Sequence, residues 1–244
     1  MANAEFIARS ASGKRAVTMN AQEILSTAEQ GAGLVKRLLA FARPDRLEPT
    51  LVSVDALIRN LQEVIAITVG ERVTLEYSLL ADDRAVLVDD SQFQSSMINL
   101  VLNSRDAMPD GGLLNITTSN QELSATTAGD EVAQKMVKVS ITDSGGGMTV
   151  AVRERALDPF FTTKPPGTGH GLGLAMVDQF VRESGGSFTL ESAVGEGSTA
   201  TLLLPEAELI TVQEPNPQGQ HAVKLNAKRS DENLLSRPHR VLLI

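Results

Sequence analysis

Residues 143 to 176 hold the densest set of residues that could bind a nucleotide. The stretch begins with an acidic residue and a glycine cluster, Asp143-Ser144-Gly145-Gly146-Gly147-Met148. It ends with a second cluster, Gly169-His170-Gly171-Leu172-Gly173-Leu174, after the segment Asp158-Pro159-Phe160-Phe161-Thr162-Thr163-Lys164. Glycine has no Cβ, so its backbone can approach a flat ring or a phosphate closely. The stretch therefore predicts a nucleotide pocket with a mobile lid.

Each part of this stretch also has an ordinary structural explanation. Asp143 could accept a hydrogen bond from an exocyclic amine such as that of adenine, but Asp-Ser-Gly is also common turn chemistry. The second glycine cluster precedes a predicted helix, Gly171 to Ser184, whose first N–H groups would suit a phosphate. Glycine alternation is equally compatible with a flexible loop. Lys164 could face the phosphates or be solvated.

Two asparagines lie four residues apart in a helix predicted from Asp89 to Met108, so they share one helix face. Asparagine is a poor residue in the middle of a helix, because its amide competes for backbone hydrogen bonds. Asn99 and Asn103 could tie down loops, or they could face a metal or a phosphate. In the second case Asn103 would offer Mg²⁺ a neutral oxygen, and Asn99 would position water or the incoming nucleophile.

The elements around these motifs alternate between helices and strands. Asp55 is placed to cap a helix that runs to about Thr68, and residues 120–135 read as a variable hairpin loop. Strands are predicted at 50–54, 72–79, 85–88, 113–119, 136–142, 187–192 and 198–204.

Composition narrows the class of protein. The 244 residues include no cysteine and three histidines, which excludes thiolate catalysis and argues against a histidine-ligated zinc site. The net charge of −8 argues against capture of a nucleic acid. No apolar run approaches the roughly 18 residues of a membrane helix, and Met1 to Ser10 lacks the basic and apolar regions of a signal peptide. We expect a cytoplasmic chain without membrane contact.

The two ends of the chain differ from its middle. Apolar residues recur at three- and four-residue steps from Asn20 to Arg43, which predicts an amphipathic helix that packs on its own domain or on a partner helix. Residues 205–238 are polar and read as a linker. The final residues 240–244 form an apolar strand-like segment, which predicts that the sequence ends just inside another domain.

In this order the motifs resemble the ATP-binding catalytic domain of two-component sensor histidine kinases, within the superfamily that includes gyrase, MutL and heat-shock chaperone ATPases. The resemblance covers about Leu51 to Pro205. Five segments are similar to motifs of the family. Residues 99–107 resemble its asparagine box, 143–148 its first glycine box and 158–164 its phenylalanine box. Residues 169–174 resemble its second glycine box, and 195–199 its terminal glycine-threonine turn.

The resemblance implies an α+β fold, a two-layer α/β sandwich of the Bergerat type with helices on one face of a mixed sheet. It also implies four regions. Residues 1–45 would be part of a helical dimerisation hairpin, 50–206 the ATP-binding domain, 207–238 a linker, and 239–244 the start of a truncated receiver domain, as in a hybrid kinase.

The same resemblance implies ATP and Mg²⁺ as cofactors. Asn99, Asn103 and Lys164 would be catalytic, and Asn103 would also bind the metal. The implied partners are a second copy of the chain and a receiver domain. The second copy would pair as a homodimer through the N-terminal helix, and the receiver domain would be the chain's own or that of a separate response regulator. The implied nucleotide contacts are Asn103, Asp106, Asp143, Gly145, Gly147, Met148, Thr163, Lys164, Gly169, His170, Gly171, Leu172, Gly173, Leu174 and Thr199.

Two departures from the family pattern affect the expected activity. The phosphoacceptor histidine of the family has no counterpart, because the first histidine of the chain is His170. His170 itself is the second departure, since relatives often have threonine at this position. We therefore expect transfer to a histidine outside the dimerisation region of this chain. An alternative is a nucleotide-binding module that dimerises with an intact kinase without phosphotransfer. The phenylalanine box, the upstream helix and the receiver-like end count against an anti-sigma-type serine kinase.

Overall fold

The computed structural model describes residues 24, 48–82, 84–127, 130–165, 169–207, 209–212 and 224–227. Two of the predicted elements lie outside these residues. They are the helix at 20–43, of which only the helical Ile24 is described, and the strand-like segment at 240–244.

A mixed five-stranded sheet forms one layer, and helices cover one of its faces. The sheet order is β2-β4-β5-β7-β6, with β2 parallel to β4 and the other neighbours antiparallel. A smaller antiparallel pair joins β1 to β3. In chain order the elements are β1 (Thr50–Ser53), α1 (Val54–Val69), β2 (Val73–Leu80), β3 (Ala85–Val88), α2 (Asp90–Ala107), β4 (Gly112–Thr127), β5 (Asp130–Asp143), α3 (Val150–Arg155), α4 (Gly173–Glu183), β6 (Ser187–Ala193), β7 (Gly197–Pro205), β8 (Leu209–Val212) and β9 (Lys224–Ala227).

The core lies between the sheet and the helices α1, α2 and α4. Side chains alternate between the faces of a strand, and β5 contributes Val137, Val139 and Ile141 to the hydrophobic core. Phe93 of α2 and Phe180 of α4 meet edge to face, with ring centroids 6.3 Å apart. Since the amphipathic helices bury their apolar stripes against one side of the sheet, the predicted two-layer fold is confirmed.

The loop prediction for residues 120–135 is wrong. Strands β4 and β5 continue as an antiparallel ribbon as far as the pair Thr127 and Asp130. The segment has few large apolar residues, but pairing in a two-stranded ribbon rests on backbone hydrogen bonds and needs no buried face. Its polar composition therefore concealed its strands.

The predicted linker contains a second difference, since β8 and β9 pair as a short antiparallel sheet. Helix α4 begins at Gly173, two residues later than the glycine pattern indicates. Among the described residues, no helix has both the length and the apolar composition needed to cross a bilayer.

Asp55 does not cap α1 as predicted. Ser53 is the N-cap, and its hydroxyl accepts a hydrogen bond from the N–H of Ala56 at 3.2 Å. Asp55 is only 1% exposed and accepts a 2.6 Å hydrogen bond from the hydroxyl of Thr118 on β4. It also accepts one from the N–H of Ala81 at 3.2 Å. Its carboxylate therefore ties the start of α1 to the sheet.

We predict that Thr118→Val destabilises the fold by about 2 kcal/mol, because a buried carboxylate loses its shortest hydrogen bond. The same hydroxyl accepts a 2.9 Å hydrogen bond from the N–H of Leu80, which would also lose its partner. Urea unfolding followed by circular dichroism measures the change. Thr117→Val, on the opposite sheet face, is the matched control and should cost much less. Equal losses in the two variants would contradict the role of the Thr118 hydroxyl.

Candidate functional site

The carboxylate of Asp143 lies at the end of β5 and is only 5% exposed. Its Oδ1 accepts a hydrogen bond from the N–H of Gly145 at 2.9 Å, and its Oδ2 accepts one from the hydroxyl of Ser104 at 3.2 Å. The backbone N–H of Ser198, opposite Asp143 on β7, is a third donor to this carboxyl group. Helix α2, the following turn and the neighbouring strand thus converge on one acidic side chain.

Burial raises the pKa of Asp143 above its ordinary value, and the three hydrogen bonds oppose that rise. Removal from water disfavours a charged carboxylate, whereas N–H and O–H donors favour it. All three donors are neutral. A buried carboxylate of this kind can accept a further hydrogen bond from a ligand.

The first glycine turn is joined to the end of α2. The N–H of Gly146 donates to the carbonyl of Ala107 at 3.1 Å. A Cβ at Gly145 would lie 2.7 Å from the same carbonyl oxygen and 2.8 Å from Oδ1 of Asp143. Any side chain at Gly145 would therefore push the turn away from α2 and disturb the carboxylate.

The β6–β7 turn holds the same segment from the other side. Gly147 has φ +64°, and a Cβ there would overlap the carbonyl oxygen of Ala193. The N–H of Met148 donates to the hydroxyl of Ser192 at 2.8 Å, and that hydroxyl donates to the carbonyl of Gly197 at 2.9 Å. A Cβ on Gly197 would overlap the carbonyl oxygen of Asp143. Glycine at these positions lets two backbone segments touch.

Both predicted asparagines are half-buried on α2. Asn99 lies beside Gly173, the first residue of α4, where a Cβ would be 3.7 Å from the Asn99 Cγ. Leu174, the next residue of α4, packs partly against the core. Asn103 precedes Ser104, so its backbone is adjacent to the residue that contacts Asp143.

Asp106 is engaged by its neighbour on α2. Its Oδ1 accepts a 2.7 Å hydrogen bond from Nη2 of Arg105. The Nη1 of Arg105 donates to the carbonyl of Thr68, near the end of α1, at 3.2 Å. The ion pair lies partly in solvent, and the hydrogen bond from Arg105 to Thr68 connects the ends of α1 and α2.

Residues 160–172 form a packing unit separate from residues 48–159. The N–H of Phe160, which has φ +68°, donates to the carbonyl of Gly171 at 2.8 Å. Gly169 lies against the side chain of Lys164, whose N–H donates to the Thr162 hydroxyl at 3.1 Å. Within this unit the phenylalanine segment and the second glycine cluster are therefore adjacent. The remaining predicted residues are Thr163, which is exposed, His170, which is half-buried, and Leu172, which is buried.

Thr199 is not brought to Asp143. Its hydroxyl lies 3.0 Å from the hydroxyl of Thr142, on the opposite face of the sheet from the Asp143 side chain. Ser198 occupies the register position opposite Asp143 instead. A one-residue difference along a strand changes the face, and the register of β5 with β7 cannot be read from the glycine turn alone.

Sequence reasoning also missed Ser104 and Ser192. Ser104 continues the buried stripe of α2 that contains Phe93, Met97 and Leu100, so a polar residue on an apolar stripe was the available signal. Ser192 lies at a half-buried position on β6, and no sequence signal distinguishes it from other serines in strands.

The available side chains limit how a metal ion could bind. Within the described ranges no three His, Asp or Glu side chains cluster as a metal site. Mg²⁺ commonly takes most of its ligands from phosphates and water and only one or two from protein. Asn103, the predicted metal ligand, could supply one protein oxygen to such an ion.

Comparison with known proteins identifies a family for the middle of the chain. Residues 88–208 match the family described as histidine kinase-, DNA gyrase B-, and HSP90-like ATPase. The match includes α2, the Asp143 turn and β7.

Similar curated proteins are sensor kinases. The chain is 35% identical over 187 residues to sensor kinase CckA of Brucella abortus, covering 75% of this chain and 20% of CckA. It is 30% identical over 201 residues to sensor histidine kinase ZraS of Escherichia coli K12, covering 82% of this chain and 39% of ZraS. The chain thus spans well under half the length of these relatives.

Similar solved structures share the fold. Full-length ShkA, solved in complex with AMPPNP, has a TM-score of 0.58 at 22% identity, covering 78% of this chain and 37% of ShkA. The catalytic domain of histidine kinase ThkA has a TM-score of 0.51 at 26% identity, covering 65% of this chain and 96% of the ThkA domain. Residues 88–208 therefore belong to the histidine kinase-, DNA gyrase B-, and HSP90-like ATPase family, and the chain contains a catalytic core of the sensor histidine kinase type.

Proposed function

We propose that this chain is the ATP-dependent catalytic core of a two-component phosphorelay, which transfers the γ-phosphoryl of ATP to a histidine outside residues 1–45. The observation that carries the proposal is the buried Asp143 carboxylate, held by neutral donors next to the helix that presents Asn99 and Asn103. The complex of ShkA with AMPPNP supports the choice of ligand.

In this proposal the residues have distinct tasks. Asp143 accepts a hydrogen bond from the adenine amine, and Gly145 leaves room for the flat base. Asn103 offers its amide oxygen to Mg²⁺, which neutralises phosphate charge when bound, while Asn99 orients the acceptor or a water. Lys164 adds positive charge near the phosphates. The contribution of the protein to such a transfer is mainly positioning and electrostatics.

The proposed nucleotide contacts extend to further residues on α2 and in the glycine and phenylalanine segments. They are Asp106, Gly147, Met148, Thr163, Gly169, His170, Gly171, Leu172, Gly173 and Leu174. Thr199 is also a proposed contact, although its hydroxyl lies beside Thr142 on the outer sheet face.

The proposed partners follow from the same kinase assignment. They are a second copy, paired through the N-terminal helix, and a receiver domain, either that of a hybrid kinase or a separate response regulator. A cytoplasmic location, where ATP is available, belongs to the proposal.

We predict that Asp143→Asn weakens ADP binding by about 10- to 100-fold, since the amide replaces a charged acceptor with a group that also donates. Isothermal titration calorimetry measures this loss, with the exposed Asp110→Asn as control. Unchanged ADP affinity in Asp143→Asn would contradict the assignment of the base contact.

The wild-type chain should lose thermal stability as the Asp143 carboxyl group ionises. The folded pKa of Asp143 is raised, so the stability that it contributes is present below the unfolded value of about 4 and lost as pH rises through the folded pKa. The charged carboxylate therefore costs stability at neutral pH, and Asp143→Asn, which cannot ionise, should lack this pH-dependent loss. Differential scanning calorimetry at acid and neutral pH checks this sign.

A phosphotransfer assay tests the proposed function directly. The chain is incubated with γ-labelled ATP, Mg²⁺ and a separate dimerisation domain that carries an acceptor histidine. We expect acid-labile label on that histidine, reduced on the order of 100-fold by Asn103→Ala because charge neutralisation is lost. Asn60→Ala, on the exposed face of α1, is the matched control.

The absence of a histidine before His170 favours one second candidate, a nucleotide-binding module that dimerises with an intact kinase without phosphotransfer. Tight ADP binding with no label on any acceptor domain would support this module and reject the kinase. If Asn103→Ala labels the acceptor histidine as well as wild type does, the proposed site is rejected.

A further inference from the structure

Ser104 is a buried hydroxyl with a specific partner in the proposed site. It is 6% exposed, and its hydroxyl donates to Oδ2 of Asp143 at 3.2 Å. The residue lies on α2 directly after Asn103, so the bond links the helix of the proposed metal ligand to the proposed base contact. Ser104 is not among the residues that the sequence motifs single out.

The donors to Asp143 determine what its carboxylate can offer a ligand. A carboxylate has about four acceptor positions, and Gly145, Ser104 and Ser198 supply three donors. Donors favour the ionised form, which only accepts hydrogen bonds, whereas a protonated carboxyl group would present an O–H donor. The arrangement therefore leaves an acceptor for an incoming N–H group.

This property distinguishes the two purines by elementary chemistry. Adenine carries a 6-amino donor where guanine carries the O6 acceptor. An ionised carboxylate attracts the amine and repels the carbonyl oxygen, while a neutral carboxyl group could donate to O6. Whatever keeps Asp143 ionised thus favours adenine over guanine.

We propose that Ser104 is a positioning residue that sets the purine preference of the site by holding the Asp143 carboxylate as a hydrogen-bond acceptor. The inference rests on the proposed nucleotide-binding function and extends it to base selection. The other two donors are backbone N–H groups, which substitutions other than proline retain, so Ser104 is the donor that a conservative mutation can remove.

The test compares ADP and GDP binding to the whole chain by isothermal titration calorimetry between about pH 5 and about pH 8. The variants are Ser104→Ala, which removes the donor, and Ser104→Cys, which keeps similar volume with a weaker donor. Ser96→Ala is the matched control, because Ser96 is 3% exposed on α2 and lies about two turns earlier. Thermal unfolding of each variant separates loss of binding from loss of fold.

We expect Ser104→Ala to raise the pH midpoint of ADP binding by about one unit, because a hydrogen bond to a charged group is removed. Near the acid end its ADP affinity should fall about tenfold, and its preference for ADP over GDP should narrow. Ser104→Cys should lie between Ser104→Ala and wild type, and Ser96→Ala should match wild type. A purely structural role would lower stability without moving the pH midpoint or the purine ratio.

An unchanged midpoint and purine ratio in Ser104→Ala, with wild type still binding ADP, would overturn this inference and leave the proposed function intact. If Ser104→Ala lacks cooperative unfolding, Ser104→Cys decides by the same two readouts. If wild-type chain binds neither nucleotide, the proposed function fails, and the inference fails with it.

Discussion

A carboxylate removed from water needs hydrogen-bond donors close to it, and this need shapes the end of β5. Asp143 obtains its donors from α2, from the turn that follows it and from β7. Backbone segments can come this close only where side chains are absent. The glycines at 145, 147 and 197 therefore satisfy a packing requirement of the apo fold, and a nucleotide would use a surface that already exists for that reason.

Sequence patterns predicted the parts of the fold that have a buried face. Helices α1, α2 and α4 and the inner strands bury periodic apolar residues, and their positions agree with the structure within a few residues. The ribbon beyond Asn120 could not be predicted, because backbone pairing stabilises it without an apolar pattern. Asp55 was assigned as a cap because capping is local, whereas its partner Thr118 lies on a strand distant in sequence.

The site was predictable where motifs are contiguous and not where contacts depend on register. Asp143, Gly145 and the two asparagines stand out by residue type and spacing. Ser198 and Thr199 are neighbours of similar chemistry, and only the pairing of β5 with β7 shows that Ser198 faces the side of Asp143. Ser104 required knowing which helix face meets the end of β5.

Two buried aspartates, Asp55 and Asp143, differ in how completely their burial is compensated. Asp55 is held by a 2.6 Å hydroxyl and a backbone N–H, and the guanidinium of Arg59 lies 3.8 Å away. The three donors to Asp143 are neutral, and its hydrogen bond from the Ser104 hydroxyl is longer, at 3.2 Å. Burial also raises the pKa of Asp143. Incompletely compensated burial costs stability. Such a cost is understandable where a ligand supplies the missing donor, and an adenine amine would be such a donor for Asp143.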